Sequence, residues 1–227
     1  MSLAGGVRAC VFDAYGTLLD LDTAATPHAA ALGDAAAPLL TLWRRKQLEY
    51  TWLRTLMGRH ADFATVTRDA LDYALESLGL TAAGLAPALA RSFRELSAAP
   101  GAAAALTRIR AGGLRTAVLS NGDPDLLRDA LMHAGLASLL NDVLSVQSIE
   151  LYKPAPPVYA LATDMLGLES SDIVFVSGNA WDAAGAASAG LRAILIEPAG
   201  TPAERLPAAP VARVRSLLEV AAVVGVA

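Results

Sequence analysis

The sequence predicts an α/β fold: a doubly wound parallel sheet, Rossmann-like, with an inserted helical cap domain. Three observations predict it. Short apolar runs alternate with amphipathic stretches of helical spacing. Several of those stretches close on a glycine. One long segment, residues 21–98, breaks the alternation and carries helical pattern alone. The chain has 227 residues, enough for one sizeable domain plus a smaller insert, and 54% are hydrophobic, which suits a well-filled core.

Residues 8–13 read as a buried strand that opens the sheet. After the insert, residues 102–111 read as helix and 115–120 as a second strand. A helix over 124–134 leads to a weaker third strand at 142–146. A helix over 156–166 precedes the fourth strand, 172–177, and a helix over 180–189 precedes the fifth, 192–196. Gly112, Gly135, Gly167 and Gly190 stand where these helices should stop. Such alternation implies helices on both faces of a parallel sheet, with ligands beyond the carboxyl ends of its strands. Asp13, Ser120, Lys153 and Ser177 all fall at or just after expected strand ends. Within the insert, helices are expected at 39–57, 65–78 and 83–96. The division expected is therefore a core of residues 1–20 and 99–227 and a cap of residues 21–98.

Net charge is −4, from 22 acidic and 18 basic residues, and no Lys/Arg run marks a nucleic-acid partner. The sole cysteine, Cys10, lies in an apolar run and reads as core. No Cys/His cluster has metal-ligand spacing. No secretion signal or bilayer-length apolar run is evident, so a soluble cytoplasmic protein is expected.

Asp13 follows the first strand and precedes Gly16-Thr17. A carboxylate at such a turn can attack an electrophile and form a covalent intermediate. Taken alone, Asp13 reads more readily as a turn or helix-capping acid. Ser120-Asn121-Gly122 precedes Pro124, a suitable first helical residue. This is an anion-binding corner or, equally, an ordinary strand-to-helix cap. Lys153 is held out of helix by Pro154. It can neutralise two carboxylates brought together; alone, it reads as a solvated loop residue. Ser177, Asn179 and Asp182 end the fourth strand and begin a helix. Asp182 can hold Lys153, orient a water, or simply favour the helix dipole. In the insert, Arg44 borders the apolar face marked by Trp43, Leu48 and Trp52, and can draw off a departing anion. Arg45 and Lys46 read as a solvated face. Trp181 reads as packing or as a pocket wall.

Together these motifs resemble the haloacid dehalogenase superfamily, and within it the bacterial L-2-haloacid dehalogenases. The resemblance covers nearly the whole chain. It rests on Phe12-Asp13-Ala14-Tyr15-Gly16-Thr17-Leu18, on the stretch Leu42-Trp43-Arg44-Arg45-Lys46-Gln47-Leu48-Glu49-Tyr50-Thr51-Trp52-Leu53-Arg54, on Leu119-Ser120-Asn121-Gly122, and on Ser177 through Asp182. The second and fourth are the more specific.

The resemblance implies hydrolysis of short L-2-haloalkanoic acids to D-2-hydroxy acids, with inversion, through an ester on Asp13. Thr17 would orient Asp13. Arg44 and Asn121 would receive the halide. Ser120 would bind the substrate carboxylate, and Lys153 would balance its charge and that of Asp13. Ser177, Asn179 and Asp182 would position Lys153 and the hydrolytic water. Tyr15, Leu48, Phe63, Tyr159 and Trp181 would line or support an apolar pocket. No metal or cofactor is implied; the partners are a 2-haloacid and the released halide. A homodimer is implied too, with Leu53, Leu56 and Met57 on the cap as apolar surface. Two positions depart from the family's pattern. Arg45 replaces a common Gln and adds charge near the pocket mouth. Gly178 replaces a common Ser and is expected to loosen its loop.

The same fold also carries phosphatases, which need Mg²⁺ and an acid two residues after the nucleophile. They also use an acid at the position of Gly178. Tyr15 and Gly178 stand at those places. A monoanion with a halide leaving group needs neither metal nor proton donor, so attack on carbon is the expected chemistry. The rivals are a Mg²⁺-dependent phosphatase and a binding module that has lost catalysis; Asp13, Arg44 and Lys153 all remain, which argues against the second.

Overall fold

The structure, a computed structural model, describes residues 3, 5–80 and 84–226. In chain order the elements are β1 (Ala9–Phe12), β2 (Leu19–Asp20), α1 (Ala29–Leu32), α2 (Ala36–Leu56), α3 (Phe63–Ser77), α4 (Leu85–Ser92), β3 (Ser97–Ala98) and α5 (Ala102–Ala111). They continue with β4 (Arg115–Ser120), α6 (Pro124–His133), β5 (Asp142–Ser145), α7 (Pro156–Leu166), β6 (Ile173–Ser177), α8 (Ala180–Ser188), β7 (Arg192–Ile196), β8 (Ala212–Val214) and α9 (Leu217–Val223).

The main sheet has the order β5-β4-β1-β6-β7-β8, and every pairing is parallel. All of β1 is buried, as is all of β6. Their sequences are continuous apolar runs rather than alternating ones because helices cover both faces. Cys10 is among these buried residues, and burial pushes its thiol up to about 12. Phe12 pairs with Val118 on one side and Val176 on the other. This register delivers Asp13, Ser120 and Ser177 to one edge of the sheet, at the crossover where ligands collect.

The helical insert leaves and re-enters through a narrow neck. There β2 and β3 pair antiparallel, Leu19 with Ala98 and Asp20 with Ser97. These two-residue strands are too short to show a period in the sequence. Within the insert, Leu39, Trp43, Gln47 and Thr51 form the buried stripe of α2, each four residues from the last. The Trp43 indole N–H donates to the Thr67 carbonyl at 2.8 Å, and Arg54 pairs with Asp69 at 2.9 Å, joining α2 to α3.

Besides β2 and β3, the elements α1, β8 and α9 were not expected. The last expected cap helix is shorter than its pattern and runs over α4 only; Ala83, where it was to begin, lies outside the described residues. Lys46 departs from the solvated reading. It pairs with Glu49 at 2.9 Å and lies 4.7 Å from the centre of the Tyr73 ring. A cationic head over an aromatic face with its stem packed down is a stable surface arrangement. Among the described residues, no helix is long and apolar enough to cross a membrane.

Candidate active site

Asp13 leaves β1 as its last ordered link to the sheet: its N–H donates to the Val176 carbonyl at 2.9 Å. The chain then folds into a tight turn in which the N–H groups of Thr17, Leu18 and Leu19 converge on the Ala14 carbonyl. Gly16 sits in this turn at φ +82°, where a side chain would be strained. The turn brings the Thr17 hydroxyl back to Asp13 Oδ2 at 3.0 Å. Asn179 Nδ2 donates to the same oxygen at 2.7 Å, and Ser177 Oγ lies 3.4 Å from it. Among the described residues the other oxygen, Oδ1, receives only the Lys153 ammonium, at 3.0 Å. One carboxylate oxygen is thus anchored and the other remains open to attack an electrophile.

Lys153 bridges two acids. Its Nζ also donates to Asp182 Oδ2 at 2.9 Å. Lys153 and Asp182 are fully buried, and Asp13 is nearly so. Burial alone would push the Lys153 ammonium down; the charges of Asp13 and Asp182 outweigh it and hold the group above the usual lysine range. Burial pushes the Asp182 carboxyl up, to about 6, against the pull of Lys153. Asp182 thus holds Lys153, the first of the roles open to it, and it also stands in the first turn of α8.

Tyr159 was expected among the residues in or around the substrate pocket. It is buried behind Asp182, with its hydroxyl donating to Asp182 Oδ1 at 2.7 Å. It supports the acid, the second of the two roles, lining or supporting, expected of it. The reason is the direction of α7, which passes α8 so closely that a Cβ on Gly185 would overlap the Tyr159 hydroxyl.

The Ser120–Gly122 loop is tied down on several sides. Gly122 N–H donates to Ser120 Oγ at 3.0 Å, and Ser145 Oγ donates to the Gly122 carbonyl at 2.7 Å. Because Ser120 Oγ accepts that bond, its own proton is left for another acceptor. Asn121 Oδ1 accepts the Lys153 backbone N–H at 3.0 Å, which turns its NH₂ group outward as a donor. Arg44 completes the donor set. Its charge is felt at Asp13, Tyr15 and Asp182, while burial pushes its own ionisation down. Its guanidinium is fixed by Gln47 Oε1 at 2.6 Å, and Gln47 is fixed in turn by Thr67 Oγ1 at 2.6 Å. Gln47 was quoted in the sequence motif without a role; the signal for one was its place one turn after Arg44.

Aromatic rings wall the site. Tyr15 stacks at a tilt on Phe63 and on Phe93, with centroids 5.4 and 5.7 Å apart. The Tyr15 hydroxyl is buried without a hydrogen-bond partner among the described residues, and burial pushes its ionisation up, so it remains a neutral donor. Phe93 was missed, since the pattern of α4 marks it only as core. Leu48 is half-buried on α2, one turn beyond Arg44. Trp181 meets Trp52 edge to face at 5.5 Å, and both line an apolar cavity of about 510 Å³ with Tyr152, Lys153 and Pro154.

Gly178 does not loosen its loop, as the sequence had suggested. Its N–H donates to Thr17 Oγ1 at 2.8 Å, and a Cβ there would overlap the Gly16 carbonyl oxygen. The glycine lets two backbones touch, and so fixes the Thr17 hydroxyl on Asp13.

Residues 7–190 match the model of the haloacid dehalogenase-like hydrolases, and the chain belongs to that family. It is 48% identical over 199 residues to (S)-2-haloacid dehalogenase 1 of Pseudomonas sp. (strain CBS-3), covering 87% of this chain and 88% of that one. It is 42% identical over 203 residues to (S)-2-haloacid dehalogenase 4A of Burkholderia cepacia, covering 89% and 88%. A solved structure of L-2-haloacid dehalogenase from Xanthobacter autotrophicus, with chloropropionic acid covalently bound, superposes with a TM-score of 0.89 at 34% identity, over 97% of this chain and 100% of that one.

The fold also serves magnesium-dependent phosphatases, and the residues here do not fit that ion. The Lys153 ammonium already lies between Asp13 and Asp182. The Tyr15 carbonyl is taken by Asn179 Nδ2 at 3.1 Å. An acid at position 178 would collide with Gly16. Among the described residues, no group of three or more His, Cys, Asp or Glu side chains is placed to hold a metal. Magnesium asks for several oxygen ligands in an octahedron, and this donor set does not offer them.

Proposed function

We propose that this chain hydrolyses short L-2-haloalkanoic acids to D-2-hydroxy acids, inverting C2 through an ester on Asp13. The observation that carries the reading is the asymmetry of Asp13: Oδ2 is held by Thr17 and Asn179, while Oδ1 faces, among the described residues, only Lys153. The named relatives and the covalent chloropropionic acid structure support it.

In the first step Asp13 Oδ1 attacks C2 from the side opposite the halogen. The O–C2 bond forms as the carbon–halogen bond breaks, and halide leaves with the electron pair toward Arg44 and the Asn121 NH₂. Ser120 receives the substrate carboxylate, and Lys153 offsets the two negative charges brought together. Preorganised donors in a water-poor pocket favour such charge movement. In the second step water attacks Asp13 Cγ. The bond between Cγ and the former Oδ1 breaks, the hydroxy acid departs with that oxygen, and one proton goes to solvent.

Halide release from each enantiomer of 2-chloropropionate, measured with excess chelator, tests this. Turnover of the L form alone is expected. Phosphate-ester hydrolysis that needs added Mg²⁺, without halide release, would establish the phosphatase instead.

We assign the cap role to residues 21–98, over a core of 1–20 and 99–227, and a cytoplasmic location, which suits the lone buried thiol. The homodimer implied by the resemblance is supported by Leu53, Leu56 and Met57, exposed by 42%, 83% and 63% at the end of α2. An apolar cluster of this kind marks an interaction surface. The wild type should sediment as a dimer, and a Leu56→Glu, Met57→Glu variant as a monomer. A monomeric wild type at micromolar concentration would exclude the dimer.

A further inference from the structure

We propose that Asp123 is a positioning residue that ties the helical insert to the Ser120–Gly122 loop, so that the pocket wall and the anion-binding corner are set together. The identity of the anion rests on the dehalogenase reading; the tie itself rests on geometry.

Asp123 stands at the N-cap of α6, where an Asp ordinarily bonds the N–H groups of its own helix. It makes no such bond. Its carboxylate crosses to the insert, where Oδ1 accepts the Phe63 N–H and Oδ2 the Ala64 N–H, each at 2.8 Å. These are the first two amides of α3. The third, on Thr65, is already taken by Asp62 Oδ1 at 2.6 Å. The first turn of α3 is therefore satisfied half from its own strand of chain and half from the sheet domain.

Both ends of the tie belong to the site. On the sheet side, Asp123 directly follows Gly122, whose neighbours Ser120 and Asn121 offer the free O–H and NH₂. On the insert side, Phe63 is buried and stacks on Tyr15. Tyr15 returns to the loop: a Cβ on Gly122 would lie 2.9 Å from its hydroxyl. Loop, Asp123, Phe63 and Tyr15 form a closed ring of contacts. Opening the ring at Asp123 frees the loop to drift relative to Asp13, and small misplacements of a bound group are costly in rate.

The charged and titratable groups around Asp123 are Asp62 and His60 from the segment before α3, and the buried Tyr15 and Tyr152 hydroxyls. Half-burial pushes the Asp123 carboxyl up, and the two amides oppose it. Protonation weakens the tie, so affinity for substrate should fall as the solution is acidified.

The test compares wild type with Asp123→Asn, of equal size, and Asp123→Ser, which keeps a good cap for α6. Steady-state kinetics on L-2-chloropropionate should show KM raised about tenfold or more in both, the scale of a lost charged hydrogen bond. kcat should change less than threefold, and the acid-side loss of affinity should be absent. Amide hydrogen exchange of residues 63, 64, 121 and 122 should quicken together. KM within twofold of wild type, with quickened exchange at 63 and 64 only, would overturn the proposal. If wild type released no halide, the dehalogenase reading would fall, and the tie would still be decided by whether exchange at 121 and 122 follows that at 63 and 64.

Discussion

Replacing Asp13 by Asn should lower halide release from L-2-chloropropionate by at least ~10⁴-fold, the scale seen when a covalent nucleophile is removed. The protein should still fold. The amide matches the carboxylate in size, and Lys153 keeps Asp182 as a partner at 2.9 Å. It cannot match the pattern of donors, though. Thr17 and Asn179 donate to one oxygen and Lys153 to the other. An Asn must turn its NH₂ toward one of those donors, so the side chain also loses its alignment. A complementary experiment follows oxygen: in a single turnover in labelled water, label should appear in Asp13 and not in the hydroxy acid. Label found directly in the product, with none in Asp13, would refute the ester route.

Lys153→Met should be nearly as damaging, and for two separable reasons. Turnover should fall by ~10³-fold or more, because the substrate brings a second negative charge to a pocket that has lost its ammonium. Stability should fall as well. Breaking a buried ion pair by removing one partner costs about 3–5 kcal/mol, which for a chain of this size corresponds to a drop in Tm of roughly 6–20 °C. The pH dependence carries the signature. With Lys153 gone, burial and repulsion by Asp13 push the Asp182 carboxyl further up, no longer opposed by the ammonium. The folded state then holds more protons than the unfolded one, so stability rises as pH falls. That rise should be visible between pH 8 and 7, a window in which native Asp182, at about 6, is still largely ionised. A variant as stable as wild type across this window would show that Lys153 does not balance the two acids.

What the sequence made legible follows from the range of the interactions involved. β1 and β6 were readable because burial on both faces writes a continuous apolar run. α2 was readable because 21 residues give room for a four-residue stripe. Asp13, Ser120 and Ser177 could be grouped because a parallel sheet puts its strand ends on one edge. By contrast, β2 and β3 have two residues each and no period to detect. Phe93 and Asp123 act through partners far away in the chain, 60 positions away for the bond from Phe63 to Asp123, and local pattern is blind to such distances. Whether Tyr159 would line the pocket or support it was not legible for a related reason: a sequence motif places a residue near a site but not on one side of it. Gly178 was misjudged because its missing side chain reads as freedom, whereas the fold uses the space for a backbone contact.

The seat of Cys10 has a bearing on survival under working conditions. Short α-halo acids alkylate thiolates without any catalyst, so a protein that gathers them is exposed to poisoning by its own feedstock. With its thiol pushed up to about 12, roughly one Cys10 in 10⁵ carries the reactive charge at pH 7. The centre of the sheet shields even that fraction from reagents in solution. Chemical durability is thereby built into the first strand.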